Sequence, residues 1–229
     1  MSVPVPLLSF DYMRQRLGLL LLLGASIVLS LALLAFRIYL TQRITYIFLL
    51  WNLFLAVVPF GMSTMLGLAA GPVRRRLLLP VTAVWLLFFP NAPYILTDFF
   101  HLHTWPDMPV WYDLTLILSF AWNGLMLAFC SLQEMQRLFT RAFGRAWGWI
   151  FAVGALLLGS LGVYVGRFLR YNSWNVVSQP LALAQDLAER LLHPFAHPRT
   201  YGVTLLLTAF LLLGYLTVRQ MGHFARETR

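Results

Sequence analysis

The stretch LGLLLLLGASIVLSLALLAF, Leu17 to Phe36, carries no charged side chain along its whole length. A helix of about 20 apolar residues is long enough to cross the hydrocarbon core of a bilayer. Arg14 and Arg16 come just before it, as in a secretory signal peptide, but the apolar stretch is too long and no clean A-x-A cleavage site follows. We therefore expect a membrane-spanning helix here and not a cleaved leader.

Similar apolar stretches recur along the rest of the chain. Of its 229 residues, 60% are hydrophobic and 11% are charged, whereas a soluble domain carries about 25% charged residues. The stretches also lack the polar face that an amphipathic helix of a soluble protein shows. We predict an all-α polytopic membrane protein, a single domain over residues 1–229 with a bundle of six transmembrane helices. The predicted spans are Leu17–Phe36, Ile44–Ala70, Leu77–Leu96, Leu114–Leu132, Trp147–Val165 and Tyr201–Val218.

The distribution of arginine predicts the orientation of the spans. Six spans place both termini on one side of the membrane, and eleven of the 17 basic residues, all of them arginine, fall on that side. Cytoplasmic loops are enriched in Lys and Arg, so we expect both termini in the cytoplasm. The net charge of +9 fits orientation and contact with anionic lipid, because the arginines lie beside apolar stretches. Nucleic acid is not an expected partner.

The stretch FPNAPYILTDFFHLHTW, Phe89 to Trp105, differs from the other apolar stretches because two prolines interrupt it. Pro90 and Pro93 each remove a backbone donor and crowd the preceding turn. A kink in a continuous helix is the commoner outcome. The alternative is a discontinuous helix in which Asn91 caps a resumed helical piece, as in transporters that bind ions and anions.

Polar residues gather on this segment and at similar depth in other spans. Helical periodicity places four polar residues of the segment on one face. Asn52 and Asn123 lie deep in the second and fourth spans, where a polar side chain is costly and usually faces a cavity or a polar partner. We therefore predict a polar pocket that opens to the outer face. The predicted site residues are Asn91, Tyr94, Asp98, His101, Trp111, Tyr112, Asp113, Asn123, Arg167, Arg170, Asn172 and Trp174.

A structural interpretation of the same residues stays open. The acids and histidines would then be wetted residues at helix ends, and the tryptophans would belong to the aromatic belt of the membrane. The buried asparagines would join neighbouring helices by hydrogen bonds.

Two kinds of chemistry are consistent with the predicted pocket. Asp98 beside His101 is an arrangement that orients an imidazole for proton transfer, so both are candidate catalytic residues. Arg167 and Arg170 would hold a phosphate or carboxylate, so we expect a small or lipid-linked anionic ligand, with membrane lipid around the protein. The spacing Asp98-x-x-His101-x-His103 also allows a metal hypothesis, but no H-E-x-x-H motif is present and we predict no metal site.

The loop after the fifth span contains a second kind of helix, predicted at residues 180–192. Pro180 suits a first helical turn, and Asp186 and Arg190 form an i,i+4 pair. The helix either lies at the membrane interface or covers the bundle as a lid. Its predicted apolar face consists of Leu181, Ala184, Ala188 and Leu191.

Three blocks of the chain, FPNAPYILTDFFHL, WYDLTLILSFAWNG and GRFLRYNSWNVVSQP, resemble an uncharacterised bacterial integral-membrane family, domain of unknown function 1361. The resemblance extends over nearly the whole chain. It implies a multi-pass protein of the bacterial inner membrane. It gives no indication of an activity or of a cofactor.

Three classes of function therefore stay open. The first is a ligand-binding protein or an enzyme that acts on a lipid-linked substrate. The second is a scaffold in which Asp98 and Asp113 pair with Arg167 and Arg170. The third is a small-solute carrier, which requires a polar path to the inner face.

Overall fold

The computed structural model describes residues 10–68, 75–104 and 106–227, and within these ranges the chain is helical without a β-strand. Six helices of the described residues are long and apolar enough to cross a membrane, which confirms the predicted all-α membrane bundle. The elements are α1 (Phe10–Thr41), α2 (Phe48–Leu68), α3 (Arg75–Phe88), α4 (Asn91–Tyr94), a 3-10 segment (Ile95–His101), α5 (Val110–Phe143), α6 (Arg145–Phe168), α7 (Asn175–Ser178), α8 (Pro180–Leu192) and α9 (Pro198–Glu227). The predicted end of the second span at Ala70 lies outside the described residues, as does Trp105.

The bundle is organised around α5, which packs against α1, α2, α6 and the 3-10 segment. It has 34 residues and is therefore roughly 50 Å long. Leu116, Ile117 and Phe120 on its inner face are fully buried. The same face carries Asp113 and Asn123, which are also fully buried. These two polar side chains must therefore find hydrogen-bond partners inside the protein.

The helices α1 and α9 lie at the edge of the bundle. Large apolar side chains on their outer surfaces are widely exposed: Leu22 is 73% exposed, Leu206 75% and Leu213 66%. A surface of this kind is unfavourable in water and is the surface that acyl chains cover. These two spans are the least buried of the six among the described residues and therefore face lipid over most of their circumference.

The segment with two prolines forms a kink in a continuous helical path. α3 ends at Phe88, but Pro90 keeps right-handed helical angles (φ −58°, ψ −26°), and the chain continues through α4 into the 3-10 segment. The cap expected of Asn91 at the start of a resumed helix is not formed. Its side-chain amide instead donates to the carbonyl oxygen of Phe88 at 2.9 Å, so Asn91 caps the end of α3.

The helix α8 forms where the interfacial helix was predicted, but a different face of it contacts the bundle. Leu183 and Leu187 turn toward the bundle, whereas Leu181 and Leu191 of the predicted apolar face are 78% and 62% exposed. The apolar residues of α8 therefore form one wide side of the helix. One edge of this side covers the bundle, and the other edge is free to lie against the membrane surface.

We expect Ser131→Ala to lower the free energy of unfolding by about 1–3 kcal/mol, because Ser131 joins three helices. Its hydroxyl accepts a hydrogen bond from Trp85 Nε1 at 2.8 Å and donates to the carbonyl oxygen of Pro59 at 2.9 Å. The substitution leaves both groups without this partner in a dry interior. Ser119→Ala is the control, because the Ser119 hydroxyl donates only to the carbonyl oxygen of Leu116 on its own helix. Thermal unfolding in detergent micelles compares the two variants, and equal losses would contradict the prediction.

Candidate functional site

Asp98 lies at the centre of a buried polar cluster and is 1% exposed. Its two carboxylate oxygens have different partners: Oδ2 accepts from Asn52 Nδ2 at 2.8 Å, and Oδ1 accepts from Arg167 Nη2 at 2.5 Å. Asn52 belongs to α2 and Arg167 to α6. One carboxylate therefore joins the 3-10 segment to two spanning helices through charge-assisted hydrogen bonds.

The Arg167 guanidinium is held on three sides. Besides its bond to Asp98, its Nε donates to Thr97 Oγ1 at 2.8 Å, and its Cζ lies 4.5 Å from the centroid of the Tyr94 ring. In a 3-10 geometry, residues three apart eclipse each other, so Tyr94 and Thr97 reach the same guanidinium. The side chain of Arg167 is only 12% exposed. Its charge is therefore largely committed to the protein itself.

His101 stands beside this cluster without a hydrogen bond to it. Its Nδ1 lies 4.0 Å from Asp98 Oδ1, and its side chain is 46% exposed. Because 4.0 Å is too long for a hydrogen bond, the contact of His101 with Asp98 is electrostatic only.

The histidine pair does not form a metal site. The His103 ring hydrogen-bonds the backbone oxygen of His101 at 2.9 Å, so the two imidazoles and the Asp98 carboxylate do not surround one point. Among the residues that the structure describes, no three His, Cys, Asp or Glu side chains form a metal-ligating group.

Asp113 belongs to a second, separate ion pair between α5 and α1. Arg37 Nε and Nη2 donate to its two oxygens at 2.7 and 3.0 Å, and the Arg37 Cζ lies 4.4 Å from the centroid of the Tyr46 ring. Both charged side chains are almost fully buried. The scaffold alternative paired Asp113 with Arg167 or Arg170, but its partner in the structure is Arg37, which sequence reasoning missed.

Asn123 also joins α5 to α1. Its Nδ2 donates to Ser30 Oγ at 2.9 Å and to the carbonyl oxygen of Ser26 at 3.2 Å. Tyr112 adds a third link between the same helices, because its hydroxyl donates to the carbonyl oxygen of Leu33 at 2.8 Å. These contacts hold helices together and do not line a pocket.

A cavity of about 510 Å³ lies between α2, α3, α4, α6, α8 and the chain after α6. Ala83 and Leu158 on its wall are exposed at the outer surface of the bundle, so the cavity opens sideways. Leu183 and Leu187 of α8 close one end of it. The polar residues that line the cavity are Asn52, Asn91, Tyr94, Tyr171, Asn172 and Ser173.

The cavity wall is brought together by close packing of α6 against the kink. A Cβ atom on Gly162 would lie 2.5 Å from Pro90 Cγ, and one on Gly166 would lie 3.1 Å from the Tyr94 ring. Only a residue without a side chain allows the first of these approaches. The kinked segment and α6 thus form one continuous wall.

Several polar groups at the cavity are already bound to protein. Asn91 Nδ2 donates to Ser173 Oγ at 3.0 Å. The Tyr171 hydroxyl donates to Asp186 Oδ2 at 2.9 Å, and this bond raises the pKa of Tyr171 above its usual value. The Asn172 side chain has no hydrogen-bond partner among the described residues. The groups left for a ligand are therefore neutral: the free oxygens of Asn52 and Asn91, and the Asn172 amide.

The structure brings together some of the predicted site residues and separates others. Asn91, Tyr94 and Asn172 line the cavity, and Asp98 with Arg167 lies directly behind it, joined through Asn52 and Tyr94. The remaining predicted residues lie away from the cavity wall: His101, Trp111, Tyr112, Asp113, Asn123, Arg170 and Trp174.

Four of these outlying residues are exposed, and His101 is one of them. Trp111 is 66% exposed and Trp174 is 50% exposed. Arg170 lies two residues after the end of α6, in the left-handed region (φ 62°). Its side chain is exposed and has no partner among the described residues. The cavity residues Ser173 and Tyr171 were missed, although they belong to the same polar block as Arg170 and Asn172.

Six long apolar helices, with their few buried charges paired inside the bundle, define an α-helical multi-pass membrane protein. Residues 51–213 match the family described as "Protein of unknown function (DUF1361)", so the chain belongs to that family. No curated protein and no solved structure matches the chain. The match confirms the resemblance carried by the three sequence blocks, and it includes every residue that lines the cavity.

We expect Arg167→Gln to lower the free energy of unfolding by about 3–5 kcal/mol, because it leaves a buried carboxylate without its counter-ion. The double variant Arg167→Gln with Asp98→Asn should recover a large part of this loss, since it removes both charges. Arg170→Gln is the matched control, because it changes an exposed arginine without a partner in the described residues. Unfolding in detergent micelles measures all three, and equal stability of the two single variants would refute the assignment.

Proposed function

We propose that the protein binds an amphipathic, lipid-type ligand in the cavity between α2, α3, α4, α6 and α8. The observation that carries the proposal is the cavity itself. Its volume of about 510 Å³ lies within the range of roughly 300–1,000 Å³ of small-molecule sites. A mostly apolar lining with a few convergent polar groups is also typical of such sites.

The order of residues along the helices supports an amphipathic ligand. α3 and α6 both run toward the face opposite the termini. Along them, the apolar residues Leu86 and Leu158 precede the polar residues Asn91 and Asn172. The cavity therefore has an apolar end toward the middle of the bundle and a polar end near the surface. An acyl or isoprenoid chain fits the first end, and a headgroup fits the second.

The charge of the polar end favours a neutral, hydroxyl-bearing headgroup over the anionic ligand expected from the sequence. Arg167 is balanced by Asp98, and Arg170 does not line the cavity. The amide oxygens of Asn52 and Asn91 accept hydrogen bonds, and Asn172 donates and accepts them. Hydroxyl groups of a sugar or glycerol moiety match both requirements.

The contacts of Asp98 support a positioning role for it. Its carboxylate fixes Asn52 and, through Arg167, Tyr94 on the cavity wall. Acid–base catalysis by Asp98 and His101 has less support, because His101 lacks a hydrogen bond to the carboxylate and neither residue lines the cavity. We therefore propose binding and not a chemical step.

The scaffold and carrier alternatives have weaker support. The pair between Asp98 and Arg167 agrees with a scaffold. A purely structural interface, however, does not require a cavity beside Asn91. A carrier needs a polar path to the opposite face, whereas the deep end of the cavity is lined by Leu86, Leu87 and Leu161.

The proposed location is the bacterial inner membrane, with both termini in the cytoplasm and the polar end of the cavity on the outer side. In a Cys130→Ala background without other cysteines, we expect Gln185→Cys to react with an impermeant maleimide added to intact cells. Gln220→Cys should react only after permeabilisation. Both glutamines are exposed, one on α8 and one on α9. The reverse pattern would invert the orientation.

We expect Ala83→Trp to weaken binding of a short-chain monoglucosyl diacylglycerol at least tenfold, because the indole fills the cavity from its exposed wall. Val84→Trp is the control, since Val84 is 48% exposed but does not line the cavity. Asn172→Ala removes hydrogen bonds only and should weaken binding about two- to tenfold. Native mass spectrometry of the delipidated protein measures the three affinities. Unchanged binding in Ala83→Trp would remove the basis of the proposal.

A further inference from the structure

A second concave surface lies at the opposite end of the bundle, on the side of the termini, between α6 and α9. Its volume is about 570 Å³. Within the described part of the chain, its lining contains two arginines and no acid, and it shares no residue with the first cavity. The lining residues are Arg145, Trp149, Leu216, Thr217, Arg219 and Gln220.

Arg219 is held in place by an amide and an aromatic ring, and no acid pairs with it among the described residues. Its Nη1 donates to Gln136 Oε1 at 2.5 Å, and its Cζ lies 4.8 Å from the centroid of the Trp149 ring. Tyr215 donates to the same amide oxygen, which fixes the buried Gln136. An amide and an aromatic ring orient a guanidinium but leave its charge in full.

Arg145 adds a second positive charge on the other side of the groove. It is exposed, and it has neither an ion pair nor a hydrogen bond among the described residues. Two guanidinium groups that face one groove repel each other, and a phosphate group between them would satisfy both.

The surface beside the groove is apolar. Leu216 lines the groove and is 38% exposed, and Leu213, three residues before it on α9, is 66% exposed. Both lie on the side of the groove toward the middle of the bundle. Basic pockets between transmembrane helices that continue into a lipid-facing apolar surface are suited to phospholipid headgroups. A free anion would bind the two arginines but would make no favourable contact with the leucines.

We propose that the groove between Arg145 and Arg219 is a binding site for an anionic phospholipid. The phosphate lies between the two guanidinium groups, and the acyl chains run along Leu213 and Leu216. This site is independent of the ligand proposed for the first cavity.

Binding of short-chain phosphatidylglycerol, phosphatidylcholine and inorganic phosphate to the delipidated full-length protein tests this proposal by native mass spectrometry. We expect phosphatidylglycerol to bind more tightly than the other two probes. Arg145→Gln should weaken phosphatidylglycerol binding on the order of fivefold, and Arg145→Lys should retain most of it. Arg219→Gln should weaken it as well.

The control is Arg170→Gln, which removes an exposed arginine at the other end of the bundle and should bind phosphatidylglycerol like the wild type. Arg145 has no hydrogen bond or ion pair to lose in the described residues, so an unchanged unfolding temperature is expected for Arg145→Gln. Equal affinities of Arg145→Gln and Arg170→Gln would overturn the proposal. Equal affinity for phosphatidylcholine, or for inorganic phosphate, would also overturn it.

Discussion

The carboxylate of Asp98 is shared between an amide of α2 and a guanidinium of α6, in surroundings that are otherwise mostly apolar. A lone carboxylate there would be far less stable than one with both partners, so the three elements that meet at Asp98 are fixed relative to one another. The kink at Pro90 gains its direction from this junction, because the 3-10 segment that follows it carries Thr97 and Asp98 to Arg167. The cavity exists because α6 and the kinked segment are held in contact at this point.

The buried charged side chains Asp98, Arg167, Asp113 and Arg37 form ion pairs that hold neighbouring elements together. Asp98 pairs with Arg167, and Asp113 pairs with Arg37 at a different interface. In each pair, one positive and one negative side chain neutralise each other inside the bundle. The groups that remain unpaired at the cavity are neutral amides and hydroxyls. A membrane protein built in this way can bind a polar headgroup without bringing an uncompensated charge into the bilayer.

The sequence was sufficient for the six spans and for α8, because long apolar runs and an amphipathic periodicity are local signals. It also identified the kink, and it indicated that the polar side chains of Asn52 and Asn91 lie within the spans and not at their ends. It did not identify the partner of Asp113, because Arg37 follows the apolar run at Phe36 and reads as a loop residue, whereas α1 continues to Thr41. The bundle-facing side of α8 was missed for a related reason. Leu183 and Leu187 adjoin the face predicted from Leu181, Ala184, Ala188 and Leu191, and only tertiary packing decides which edge of this wide apolar side is covered.

The arrangement of α8 has a consequence for how a ligand reaches the cavity. Leu183 and Leu187 cover one end of the cavity, while Leu181 and Leu191 at the margin of the same apolar side are exposed and free to contact the lipid headgroup layer. Entry from water would require α8 to separate from both the bundle and the bilayer. Entry between α3 and α6, past Ala83 and Leu158, requires neither. A ligand is thus expected to enter the cavity laterally from the membrane. How firmly α8 packs over the cavity is expected to depend on the surrounding lipid.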